Sequence, residues 1–153
     1  MKRIIFYLAL FPMAASAAVT QLTAQGGSVE ALAVGKPTFI KIRGKGEAPT
    51  GSLKVDGKKA MGSFEFKVAS LDTGIEMRNE HMREKYLQVK EFPTAKLEIK
   101  ELILKDEFNP TKPKAGEQPF EGQLTLHGQT KPVSGIFTVG DKRDVGAEFK
   151  IKL

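Results

Sequence analysis

The chain contains no cysteine and no tryptophan, and among its 153 residues there are only two histidines. The first absence rules out thiol nucleophiles, iron–sulfur clusters and Cys-ligated zinc, and it leaves folding without disulfides. The missing Trp and the core-like spacing of the aromatics argue against a base-stacking platform. The formal charge of +6 is mild, and lysines recur singly between apolar or acidic neighbours. They read as the wet face of strands, so no nucleic-acid partner is expected. No Ser has a plausible base and orienter nearby, and no glycine-rich phosphate loop follows a strand. No pair of carboxylates stands in an apolar setting. These absences leave little for catalysis, and neither a metal nor a cofactor is expected.

The start of the chain sets a compartment. Lys2 and Arg3 precede "IIFYLALFPMAA", and Ala15-Ser16-Ala17 follows. A basic start, a short apolar run and small residues at −3 and −1 make a secretory signal peptide, with cleavage expected after Ala17. The run falls short of the roughly 20 residues that span a bilayer. Residues 1–17 are therefore expected to be a removable leader and 18–153 a single domain, exported to the periplasm without an integral membrane segment.

The rest of the chain alternates. "SFEFKV" puts Phe64, Phe66 and Val68 on one face; "KLEIKELIL" does so with Leu97 and Ile99. "FEGQLTLHG" aligns Phe120, Leu124 and Leu126. "VSGIFTV" aligns Val133, Phe137 and Val139, and "AEFKIKL" aligns Ala147, Phe149, Ile151 and Leu153. Such period-two patterns predict antiparallel strands with one dry and one wet face. Turn signals separate them, as in "VDGKK" and "HGQTKP". Gly44, Gly46 and Gly51 in "IRGKGEAPTGSL" suggest one sharply bent strand. About eight such strands bury their faces in either a sandwich or a closed barrel, and the residues alone leave both open. In a barrel the inner set carries no charge and would suit a hydrocarbon.

One segment differs: "SLDTGIEMRNEHMREKYL", Ser70 to Leu87. Glu76, Glu80 and Glu84 recur every four residues, and His81 lies one residue off that line. Arg78 and Arg83 can pair with these acids at helical spacing, so the stripe reads as a solvated face rather than a metal site. Ile75, Met82 and Tyr86 are expected to pack down onto the strands. Asp72, Thr73 and Gly74 supply a helix cap and a turn.

These residues carry a family resemblance. Asp72-Thr73-Gly74, Arg78-Asn79, His81-Met82 and Phe92-Pro93 form one block. Leu124-Thr125-Leu126-His127-Gly128 with Thr130-Lys131-Pro132-Val133 forms another. Together they resemble the YceI-like family from about Ser28 to Leu153, with Tyr86-Leu87 where the family often shows paired Phe. The resemblance implies an exported, lipocalin-like antiparallel barrel that holds a polyisoprenoid, an isoprenoid quinone or a similar long-chain lipid. It places the charged segment as a short helix-and-loop lid beside the ligand, and gives the turn at His127 a structural role.

Combining pattern and resemblance, the expected ligand-binding residues are Phe64, Phe66, Val68, Ile75, Arg78, His81, Met82, Tyr86, Leu97, Ile99, Leu124 and Leu126. His81 either hydrogen-bonds the ligand's head group or holds the lid. A non-binding interaction module and an enzyme built on Arg78, Glu80 and His81 are the competing functions. The family pattern usually continues beyond "EFKIKL" with a further strand. The barrel is accordingly expected either to lack a C-terminal strand, with a homodimer forming across the seam, or to close by pairing Val145–Leu153 with the N-terminal strand.

Overall fold

The alternating runs pair edge to edge in chain order, which is how strands joined by short turns satisfy their N–H and C=O groups at the lowest loop cost. The computed structural model describes residues 2–16, 19–34, 41–109, 114–140 and 144–151. Its strands are β1 (Lys2–Ser16), β2 (Val19–Val34), β3 (Lys41–Gly46), β4 (Thr50–Asp56), β5 (Lys59–Lys67), β6 (Thr94–Ile103), β7 (Gly116–Leu126), β8 (Gln129–Val139) and β9 (Asp144–Ile151). The sheet runs β1-β9-β8-β7-β6-β5-β4-β2, and β1 pairs again with β2, so eight antiparallel strands close a barrel. The ninth, β3, lies outside the closed ring on the edge of β2. The architecture is the lipocalin-like all-β barrel expected from the sequence.

Closure depends on β1. Its Lys2–Ala9 stretch pairs with β9, from Lys2↔Ile151 to Ala9↔Asp144, and its other edge pairs with β2 along most of its length. In the full chain Val145–Ile151 pair with β1 and not with the first strand after Ala17, so neither expected outcome for the last strand is met; Lys152 and Leu153 lie outside the described residues. That partner strand is the segment read as a leader.

β2 changes neighbour half-way. Val19–Thr23 pair with β4, and Val29–Val34 pair with β3. The change falls at Gly26 and Gly27, with φ of 94° and 113°. These values suit glycine and bend the strand. The run containing Gly44, Gly46 and Gly51 was expected to be one bent strand. It is two, because the chain leaves β3 at Gly46 and re-enters the sheet as β4 at Thr50.

Alternation gives one face to the interior. Leu53 and Val55 on β4, Leu102 on β6, Phe120 on β7, Phe137 and Val139 on β8 and Val145 and Phe149 on β9 are all buried. Phe120 and Phe149 meet edge to face, 6.1 Å between centroids. Each such side chain contributes roughly 1.5–3 kcal/mol on burial. They fill the middle of the barrel and the end at the β4–β5 turn. At the other end the chain leaves β5, makes an excursion over residues 68–93 and returns as β6. The Val68 N–H donates to the Pro93 carbonyl at 3.0 Å, closing the base of the excursion.

Candidate functional site

The excursion is a lid. A 3-10 turn (Val68–Ser70) leads to α1 (Glu76–His81), which passes into a π-helical turn over Met82–Tyr86. Its first anchor is a two-way backbone bridge: Lys45 N–H to Asp72 C=O and Asp72 N–H to Lys45 C=O, both 2.8 Å. Strand β3 thus holds the lid from outside the barrel.

Asn79 is the internal tie. It is 2% exposed, although it sits on the charged segment. Its Oδ1 accepts from the Thr73 N–H at 2.9 Å and from the Thr73 hydroxyl at 2.8 Å, and its Nδ2 donates to Asp72 Oδ1 at 2.8 Å. The Gly74 N–H also donates to Asp72 Oδ1, at 2.7 Å. That backbone bond and then the Asn79 bond hold the Asp72 carboxyl below its ordinary value; desolvation opposes them, and the nearby Arg83 charge adds a smaller lowering effect. The expected helix cap at Asp72 and Thr73 is not formed: Ile75 is the N-cap of α1, without a side-chain bond, and Asp72 and Thr73 instead bind Asn79, a residue the sequence left without a role. A buried amide satisfies its polar atoms only with partners of this kind.

The glutamate stripe is solvated. Glu76, Glu80 and Glu84 are exposed, and Glu76 pairs with Arg83 at 3.7 Å. Among the described residues no group of three or more His, Asp or Glu side chains is placed to hold a metal. The expected packing of the lid needs correction at two positions. Met82 packs against the core, but Ile75 and Tyr86 are 48% and 70% exposed, and Leu87 and Val89 pack in their place. For Tyr86 the π-helical turn shifts the phase, so helical spacing extended from α1 no longer names the buried side, while Ile75 stands before α1 as its N-cap in extended backbone.

The second anchor joins the lid's far end to the β7–β8 turn. His127 Nε2 and Gln88 Oε1 lie 2.6 Å apart, and the Phe92 ring lies 4.7 Å from the imidazole. Gln88 and His127 have φ of 44° and 52°, and they are the two non-glycine residues with positive φ among those described. Gly128 follows at φ 69°, and a Cβ there would meet the Phe92 ring at 2.6 Å.

Beneath the lid is a cavity of about 600 Å³, within the range of sites that enclose small molecules. The barrel contributes Phe66, Ala95, Leu124, Leu126 and Ile151 to its wall, with Ile4, Val29 and Ala31 from β1 and β2 and Val68 from the base of the lid. The lid contributes Ile75, Met77, Arg78, His81, Met82, Tyr86 and Leu87. A smaller compartment of about 280 Å³ adjoins it, sharing Tyr86, Leu87, Leu124, Leu126 and Ile151 and adding His127, Gln129 and Lys131. Among the described residues no acidic side chain lines either space.

Nine of the expected binding residues line the larger cavity: Phe66, Val68, Ile75, Arg78, His81, Met82, Tyr86, Leu124 and Leu126. Phe64, Leu97 and Ile99 do not. They are 5%, 1% and 2% exposed within the packed middle of the barrel, where Phe64 pairs with Leu97 and Ile99 with Gly122. They face inward as expected but lie below the cavity floor.

A family model of the YceI-like domain matches residues 18–153. The chain belongs to the YceI-like family. The match takes in the lid and strands β2–β9, and leaves β1 outside it. A search of curated proteins finds no match. Among solved structures, a polyisoprenoid binding domain from Saccharophagus degradans implicated in plant cell wall breakdown is similar in fold. It shares 17% identity at a TM-score of 0.50, over 86% of this chain and 67% of that one.

Proposed function

We propose that this YceI-like protein is an exported, periplasmic carrier that encloses the tail of a polyisoprenoid, isoprenoid quinone or similar long-chain lipid, without catalysing a reaction. The observation that carries this reading is the apolar cavity under a lid, with Arg78 and His81 on its wall. The polyisoprenoid-binding neighbour supports the ligand class. Export is supported by the leader pattern of residues 1–17 and by a family match that begins at residue 18. Among the described residues no helix is long and apolar enough to cross a membrane.

The energetics are adequate. Transferring about ten tail carbons contributes roughly 8 kcal/mol at about 0.8 each. The costs of association then reduce this, leaving binding in the micromolar to nanomolar range. Arg78 and His81 hold the ligand's polar end or fix the lid over it. Displacement of a fluorescent fatty probe by prenols of increasing tail length tests the reading. Affinity should rise with each isoprene unit until the cavity is full. Affinity independent of tail length would reject an enclosed tail.

A further inference from the structure

Along each strand every second side chain turns inward, and cross-strand pairing sorts these side chains into levels down the barrel. Phe66 and Ala95 pair at one level, and both line the large cavity. Phe64 and Leu97 pair at the next, about 7 Å deeper at roughly 3.3 Å per residue. Both are buried, and neither lines the cavity. Phe64 is seated over Gly51, its partner on β4, where a Cβ would meet the ring at 2.9 Å. Further down, Phe120 and Phe149 meet edge to face, and Gln118 follows Phe120 on the inward side of β7. Gln118 is 5% exposed, and its Nε2 has no hydrogen-bond partner among the described residues. A hydrocarbon cannot satisfy a buried amide, so the space suited to a tail ends above it. The cavity above Phe64, about 600 Å³, has room for about 20 chain atoms at roughly 30 Å³ each, a water-sized share.

We propose that Phe64, with Leu97 beside it, is the floor that measures the tail, and that the ligand class is a prenyl lipid of about four isoprene units rather than a much longer polyprenyl chain. This rests on the carrier reading above and sets its tail length. Up to that length each added unit exchanges water for Phe66, Ala95, Leu124 and the lid, and gains affinity. A longer tail meets Phe64 and leaves its further carbons in the mouth, where water still reaches them. A phenyl ring and an isoprene unit are of similar size, so truncating Phe64 lowers the floor by about one unit.

The test uses the purified protein and prenols of increasing length, from geraniol upward, each displacing one fluorescent fatty probe. Parent affinity should rise as far as geranylgeraniol, the alcohol of about four units, and then level off. Phe64→Ala should carry the rise one unit further, binding geranylfarnesol about tenfold more tightly than the parent does. Ala95→Leu adds a side chain at the cavity level without opening a void in the core, and should stop the rise one unit earlier. Phe137→Ala loosens the core at the level of Gln118, away from the floor, and should keep the parent's limit. Parent affinity that goes on climbing well past geranylgeraniol, or a limit unmoved in Phe64→Ala or in Ala95→Leu, would overturn the assignment. So would a limit that moves equally in Phe137→Ala, because loosening of the core alone would then set it. Parent affinity independent of tail length would reject the carrier reading itself, an outcome distinct from a limit that Phe64 does not set.

Discussion

His127 and Gln88, 39 positions apart in sequence, are joined by a 2.6 Å contact while both backbones hold positive φ. Each conformation costs free energy for a side chain with a Cβ, and Asn is the more usual occupant of such a turn position than His. His127 gives up that turn preference and gains the Gln88 bond and the Phe92 contact. The arrangement works as a latch between the lid and the barrel wall.

The latch yields a prediction in which stability and lid motion separate. In His127→Asn the turn relaxes while the bond to Gln88 is lost, each worth about 1 kcal/mol, so global stability should change by less than about 1 kcal/mol. Amide hydrogen exchange over residues 82–89 should nevertheless speed up. Unchanged exchange there would mean that His127 serves the turn alone.

At the lid's near end, Asp72 gives a pH prediction. Its carboxyl is held below the ordinary value of 3.8, chiefly by the Gly74 N–H and then by Asn79. A depressed folded-state pKa stabilises the fold above the unfolded value, and this contribution is lost as pH falls through the folded value. The stability gap between the parent and Asp72→Asn should therefore be flat above about pH 5 and shrink as pH falls below the ordinary carboxylate range. Urea unfolding at a series of pH values measures it. A gap that widens in acid would contradict the hydrogen-bond geometry.

These anchors show what the sequence carried and what it did not. Alternation in "SFEFKV" and "KLEIKELIL" told which residues face inward, because side chains on a strand have a period of two. It could not tell depth. Phe66 and Ala95 are opposite one another at the cavity, and Phe64 and Leu97 are opposite one another in the packed middle. Only pairing register and the bulk of Phe120 and Phe149 separate those levels. Asn79 and Gln88 act through partners whose identity only the folded chain supplies.

The barrel seam gives the third prediction. β1 covers an edge of both β9 and β2, and the cavity wall includes its Ile4. Removing residues 1–17 uncovers both edges, and exposed edges recruit another strand. The exported chain of residues 18–153, which lacks β1, should therefore form a concentration-dependent dimer by light scattering, whereas the chain that keeps its leader stays closed. A strict monomer across the concentration series would show that β2 and β9 seal the seam themselves.

The central claim is that the cavity under the lid holds a long apolar tail, and native mass spectrometry of freshly purified protein tests it most directly. Ala95 lies on the cavity wall and is buried, so Ala95→Phe fills the space with a side chain while leaving the packed middle untouched. The parent should carry a co-purifying lipid mass, and Ala95→Phe, folded to a similar stability, should lose it. Clean unliganded spectra from the parent under gentle conditions, or the same adduct in both proteins, would contradict the account.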